Sequence, residues 1–95
     1  MNRVTIDLTG ASTKDAIQDI LVSSLSLPEY YGRNLDALYD CVSTMFIKQR
    51  TEINMVGFDS LPEELMGYGN SIRKILQRIA RESIQVSDAT LIIVK

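Results

Sequence analysis

The sequence predicts an α/β fold: a small three-stranded parallel sheet packed by about four helices, in two layers. Three observations predict it. Strand-like stretches stand near both ends of the chain and one in the middle, "RVTIDL", "TEINMV" and "TLIIV". The segments between them repeat their apolar residues at helical spacing. Strands joined through helical crossovers run parallel, with right-handed connections. At 95 residues, 45% of them hydrophobic, the chain makes one domain over residues 1–95 with one modest core.

The elements follow in the order β–α–α–β–α–α–β. In "RVTIDL", Val4, Ile6 and Leu8 face one way and Thr5 and Asp7 the other, a strand with one wet face. "TGAST" is a turn with Ser12 or Thr13 as N-cap. Ala16, Ile17, Ile20, Leu21 and Leu25 then form a helical stripe, closed by Pro28. A second helix starts at Asn34, a good N-cap, with an apolar stripe of Leu35, Leu38, Val42, Met45 and Phe46. "TEINMV" is a strand in which Ile53 and Met55 alternate inward. "SLPEEL" reads as a short helix, with Ser60 and Glu63 at capping-box spacing and Pro62 in its first turn, broken by "GYGN". A fourth helix carries Ile72, Ile75, Leu76, Ile79 and Ala80 on one face, with Arg73, Lys74, Arg78 and Arg81 around the rest. The continuous apolar run "TLIIV" suits a buried strand.

Composition removes many functions. There is no histidine, so no Ser–His–Asp or Cys–His arrangement can be built. The single cysteine, Cys41, supplies neither a disulfide nor a zinc site and reads as a half-buried packing residue. No phosphate-cradling glycine motif occurs. No cofactor or metal is expected. The longest apolar run is too short to cross a bilayer, and the N-terminus lacks the pattern of a signal peptide. The expected location is the cytoplasm. Residues 1–46 carry a net −3 and residues 47–95 a net +1. A direct nucleic-acid binder shows a basic surplus instead. The acidic half suits a basic partner.

That half contains the stretch "LPEYYGRNLDALYD", residues 27–40. Two tyrosines and a glycine precede a helix start. Two adjacent loop side chains rarely both point inward, so one of Tyr30 and Tyr31 plugs the core and the other is exposed. On the helix that follows, Asp36, Asp40 and Ser43 fall together opposite the apolar stripe, with Tyr39 on the border. Asp36 compensates the helix dipole from the first turn. Asp40 has no such role. It lies a turn and a half inside, where aspartate is a poor helix former and repels Asp36. The combination fits gripping a basic cleft and does not fit catalysis.

These residues closely resemble the signature of the barstar family, small intracellular inhibitors of barnase-type ribonucleases. The family pattern Pro-x-Tyr-Tyr-Gly-x-Asn-Leu-Asp-Ala-Leu-aromatic-Asp is met by Pro28, Tyr30, Tyr31, Gly32, Asn34, Leu35, Asp36, Ala37, Leu38, Tyr39 and Asp40. The resemblance implies a barstar-like fold and a protein, not an enzyme, that plugs the active site of a guanyl-type ribonuclease. By the same resemblance Asp40 stands in for the substrate phosphate, and Asp36 takes further cationic or backbone donors. Tyr30 packs on the nuclease's catalytic histidine. Gly32 and Asn34 make backbone-level contacts, and Tyr39 and Ser43 fill in around them. The family's glutamate on the later helix falls on Arg81 or Glu82, of which Glu82 is carried as a site residue. Arg33 departs from the family, placing a positive charge in the binding loop three residues from Asp36. The expected partner is a basic ribonuclease or related toxin domain, bound by a chain that is a monomer when free. The alternative is a binding or regulatory module of the same fold with a non-nuclease partner.

Overall fold

The computed structural model describes residues 2–45, 51–86 and 92–94. Its elements are β1 (Asn2–Asp7), α1 (Lys14–Leu25), α2 (Leu35–Met45), β2 (Thr51–Val56), a 3-10 turn (Phe58–Ser60), α3 (Glu63–Val86) and β3 (Ile92–Val94). β1 and β2 pair in parallel along their full length, from Asn2 opposite Thr51 to Asp7 opposite Val56. β3 adds three further parallel pairs to β2, Thr51 opposite Ile92 through Ile53 opposite Val94.

Alternation along the strands decides which face is dry. Ile6, Leu8, Ile53 and Met55 point into the core. Arg3, Thr5, Asp7 and Val56 stay exposed on the other side, where Arg3 pairs with Glu52 at 3.2 Å. Onto the dry face come Ile17, Leu21 and Leu25 of α1, Leu38 and Val42 of α2, and Leu65, Ile72, Leu76 and Ile79 of α3, all buried. Fully burying each such side chain is worth about 1.5–3 kcal/mol. Thr13 caps α1, its Oγ1 accepting from the Ala16 N–H at 3.0 Å. Ser26, in left-handed geometry at φ 53°, ends that helix two residues before Pro28.

The expected three-stranded sheet under about four helices needs correction. The full-length ladder joins two strands, β1 and β2. β3 is a three-residue strip beside β2 and lies at an edge, not at the centre. Thr90 and Leu91 of the expected "TLIIV" strand, like Phe46 of the expected α2 stripe, lie outside the described residues. The α-helices number three among the described residues, because "GYGN" does not break the chain: α3 runs through it for 24 residues. Two glycines in a helix cost about 1 kcal/mol each relative to alanine. The buried positions Leu65, Gly69, Ile72, Leu76 and Ile79 form one uninterrupted stripe, and that burial outweighs the local preference. Ser60 is not part of a capping box either. It sits in the 3-10 turn, its hydroxyl donating to the Gly57 carbonyl at 2.7 Å. Pro62 precedes the first helical residue, and its carbonyl accepts from Leu65 at 2.9 Å.

Gly69 shows why a small residue stands in that stripe. A Cβ there would lie 2.8 Å from Leu61 Cδ1 and 3.1 Å from Phe58 Cε2. Around Gly67 a Cβ would meet nothing within 4 Å. The two glycines should therefore respond oppositely to alanine. Gly67→Ala should raise stability by up to about 1 kcal/mol through helix propensity. Gly69→Ala should give a net loss on the order of 1 kcal/mol, because overpacking offsets the same gain. Urea midpoints of the two variants test this, and equal shifts would refute it.

Candidate functional site

The loop between α1 and α2 is fastened before it is displayed. Tyr31 is the inward member of the tyrosine pair, 6% exposed, and Tyr30 the outward one, 85% exposed. The Tyr31 hydroxyl donates to Gln18 Oε1 at 2.6 Å, and Gln18 Nε2 donates to the Tyr68 hydroxyl at 2.5 Å. This chain of polar groups ties the loop to α1 and α3 through the core. Burial, with Tyr68 close by, pushes the Tyr31 phenol up to about 12. Asn34 is used twice: its Oδ1 accepts from the Ala37 N–H at 2.8 Å, and its Nδ2 donates to the Gly32 carbonyl at 3.2 Å. It thus starts α2 and closes the loop at once, leaving its side chain committed.

Arg33 fastens the loop a third time. It sits in left-handed geometry, φ 54°, and its guanidinium reaches back to α1. There it bonds Asp19 Oδ1 at 2.9 Å and the Asp15 carbonyl at 3.2 Å, with the Asp15 carboxylate at 3.7 Å. These partners lie 14 and 18 residues back in sequence, whereas Asp36 lies three residues on.

α2 presents the acidic face. Asp36 and Asp40 are both exposed, and among the described residues no ion pair engages either. Ser43 and Thr44 bend back onto the helix, their hydroxyls donating to the Asp40 carbonyl at 3.2 and 2.8 Å. Two grooves flank Asp40. One, of about 170 Å³, is lined by Tyr30, Asp40, Cys41 and Thr44. The other, of about 420 Å³, lies between α2 and α3, lined by Leu35, Asp36, Tyr39, Asp40, Ile75 and Arg78. Cys41 is half-buried and unpaired.

Tyr39 turns toward α3. Its hydroxyl donates to the Glu82 carboxylate, which also accepts from Arg78 Nε at 2.8 Å. The Arg78 guanidinium lies 4.8 Å from the centre of the Tyr39 ring. The hydrogen bond from Tyr39, then that from Arg78, holds the Glu82 carboxyl below its usual range. The hydrogen bond to Glu82 holds the Tyr39 phenol above its own. Of the two candidates on the later helix, Glu82 meets α2 and Arg81 is exposed.

Tyr30, Asp36, Tyr39 and Asp40 are thus brought to one surface, with Glu82 joined through Tyr39. Gly32 and Asn34 are exposed in the loop that leads into it. Ser43 follows one turn on, its hydroxyl turned back onto the helix. Sequence reasoning missed two residues: Gln18, a polar side chain in an apolar stripe, and Arg78, whose i,i+4 spacing to Glu82 was the available signal. Among the described residues no group of three or more His, Cys, Asp or Glu could hold a metal, and no helix is long and apolar enough to cross a membrane.

Two comparisons bear on this surface. The family model for barstar, the barnase inhibitor, matches residues 1–93. A Bacillus subtilis (strain 168) protein called "Putative ribonuclease inhibitor YrdF" is 29% identical over 82 residues, covering 86% of this chain and 89% of that protein. The match covers nearly the whole chain, and the chain belongs to the barstar family of ribonuclease inhibitors and is not an enzyme.

Proposed function

We propose that this chain is a cytoplasmic inhibitor that blocks the active site of a basic, guanyl-type ribonuclease with the loop 27–34 and the exposed face of α2. The observation that carries this reading is the pair Asp36 and Asp40, exposed, without an ion-pair partner among the described residues, and set beside the protruding Tyr30. A ribonuclease active site is a cationic cleft built for phosphate. Asp40, on the ridge between two grooves, enters such a cleft as a phosphate substitute, and Asp36 follows one turn behind. Tyr30 supplies a large rigid surface at low entropic cost and covers the rim. The backbone at Gly32 and Asn34 lies against the partner, Tyr39 lines the groove beside Asp40 and is held there by Glu82, and Ser43 follows one turn beyond Asp40.

Such a complex forms under electrostatic guidance. Guidance acts over roughly a Debye length, about 8–10 Å at physiological salt. The on-rate for the partner ribonuclease should fall at least tenfold from low to high ionic strength, while the off-rate changes much less. Stopped-flow inhibition kinetics at several salt concentrations measure both. An on-rate indifferent to salt would mean an apolar contact centred on Tyr30, and the acidic reading would be wrong.

A further inference from the structure

The larger groove does not carry one sign of charge. Asp36 and Asp40 stand on its α2 side, Leu35 and Ile75 supply apolar lining, and Arg78 stands on its α3 side. Arg78 is solvent-exposed, yet it is not a loose side chain. Its Nε is bonded to Glu82 at 2.8 Å, its Cζ lies 4.8 Å from the Tyr39 ring centre, and Tyr39 bonds the same Glu82. An exposed i,i+4 pair adds little to stability, so holding the helix together accounts poorly for three converging contacts. A cation fixed in advance, in contrast, loses little rotamer freedom when a partner arrives. The guanidinium has five N–H donors and Glu82 takes the one on Nε. The terminal nitrogens suit a carboxylate in two-point fashion.

We propose that Arg78 is a specificity-determining residue of the inhibitory face, and that the α2–α3 groove takes a paired element of the ribonuclease: a cation toward Asp36 and Asp40, and a carboxylate toward Arg78. This deepens the inhibitor reading and rests on it. A ribonuclease that brings only cations to the groove meets Arg78 as a repulsive element, and rejection of wrong partners by repulsion is as effective as added attraction to the right one. Arg33, the cation in the signature loop, plays no such part, because its guanidinium is bonded to α1.

The test uses a ribonuclease that the wild-type chain inhibits, found in a panel of barnase-type enzymes. Dissociation constants are measured for wild type, Arg78→Met and Arg78→Glu. Each is paired with the native ribonuclease and with variants in which one carboxylate near its active site is neutralised or changed to arginine. Arg78→Met should weaken binding about tenfold, and the loss should vanish against one particular carboxylate variant. Arg78→Glu should weaken it further and be rescued by arginine at that same position. Thermal unfolding of each variant shows that the fold persists. Should Arg78→Met fail to unfold like wild type, Arg78→Lys, which keeps the charge but loses the two-point geometry, should bind more weakly than wild type and more tightly than Arg78→Glu. Affinity unchanged or tightened by Arg78→Met, or an equal loss against every ribonuclease variant, overturns the proposal and leaves Arg78 a brace for Tyr39 and Glu82. A folded wild-type chain that inhibits no ribonuclease in the panel overturns the inhibitor reading itself, and the proposal with it.

Discussion

Asp40→Ala is expected to weaken binding to the partner ribonuclease by at least about 30-fold, close to 2 kcal/mol. A carboxylate seated in a dehydrated cationic cleft leaves several partner charges unmatched when it is removed. Folding should not suffer. Asp40 is exposed and takes part in no ion pair among the described residues. Alanine is the better helix former, and the repulsion from Asp36, about 0.2–0.5 kcal/mol, disappears. The variant should therefore unfold at or slightly above the wild-type temperature while losing affinity. Calorimetric titration against the ribonuclease decides it. A change within twofold would remove Asp40 from the centre of the interface.

The second large effect is on stability. Tyr31→Ala should cost about 3–5 kcal/mol, the usual loss for deleting a buried aromatic ring. That is a large part of the 5–15 kcal/mol that holds a typical domain folded. Tyr31→Phe is the graded control. It keeps the ring but leaves Gln18 Oε1 without its donor in a side chain only 2% exposed, for about 1–3 kcal/mol. Urea unfolding should rank wild type above Tyr31→Phe above Tyr31→Ala, and any other order contradicts the anchoring role. Alkaline pH probes the same anchor. The folded phenol is held up to about 12, above the ordinary value near 10. Its contribution is then complete below about pH 10 and is lost as pH rises through 12. In an ultraviolet titration Tyr31 should ionise well above the ordinary tyrosine value.

What the sequence made legible was local. Asn34 as the start of α2, Thr13 as one of two candidate caps for α1, and the division of α2 into a dry and an acidic face all follow from spacing within a few residues. The pair Tyr30 and Tyr31 was legible in kind but not in assignment. Its sorting depends on Gln18 and Tyr68, and the second of these lies 50 residues beyond the first. The partners of Arg33 were hidden for the same reason: a left-handed backbone turns the side chain to Asp15 and Asp19, 18 and 14 residues back. The continuity of α3 was hidden by Gly67 and Gly69. Their helix penalty is visible locally, but the contact of Gly69 with Leu61 and Phe58 exists only once the chain is folded.

The three fastenings of the loop have a kinetic consequence. Tyr31 through Gln18, Arg33 through Asp19 and Asn34 through Ala37 hold the segment from both ends and from beneath. Ordering a free segment costs roughly 1–2 kcal/mol per residue in backbone entropy, and here that cost falls on folding rather than on association. The conformational search is finished before any partner arrives. Collisions can then be productive without a waiting step for rearrangement, and α1, which lies outside the proposed contact surface, still governs how many of them succeed.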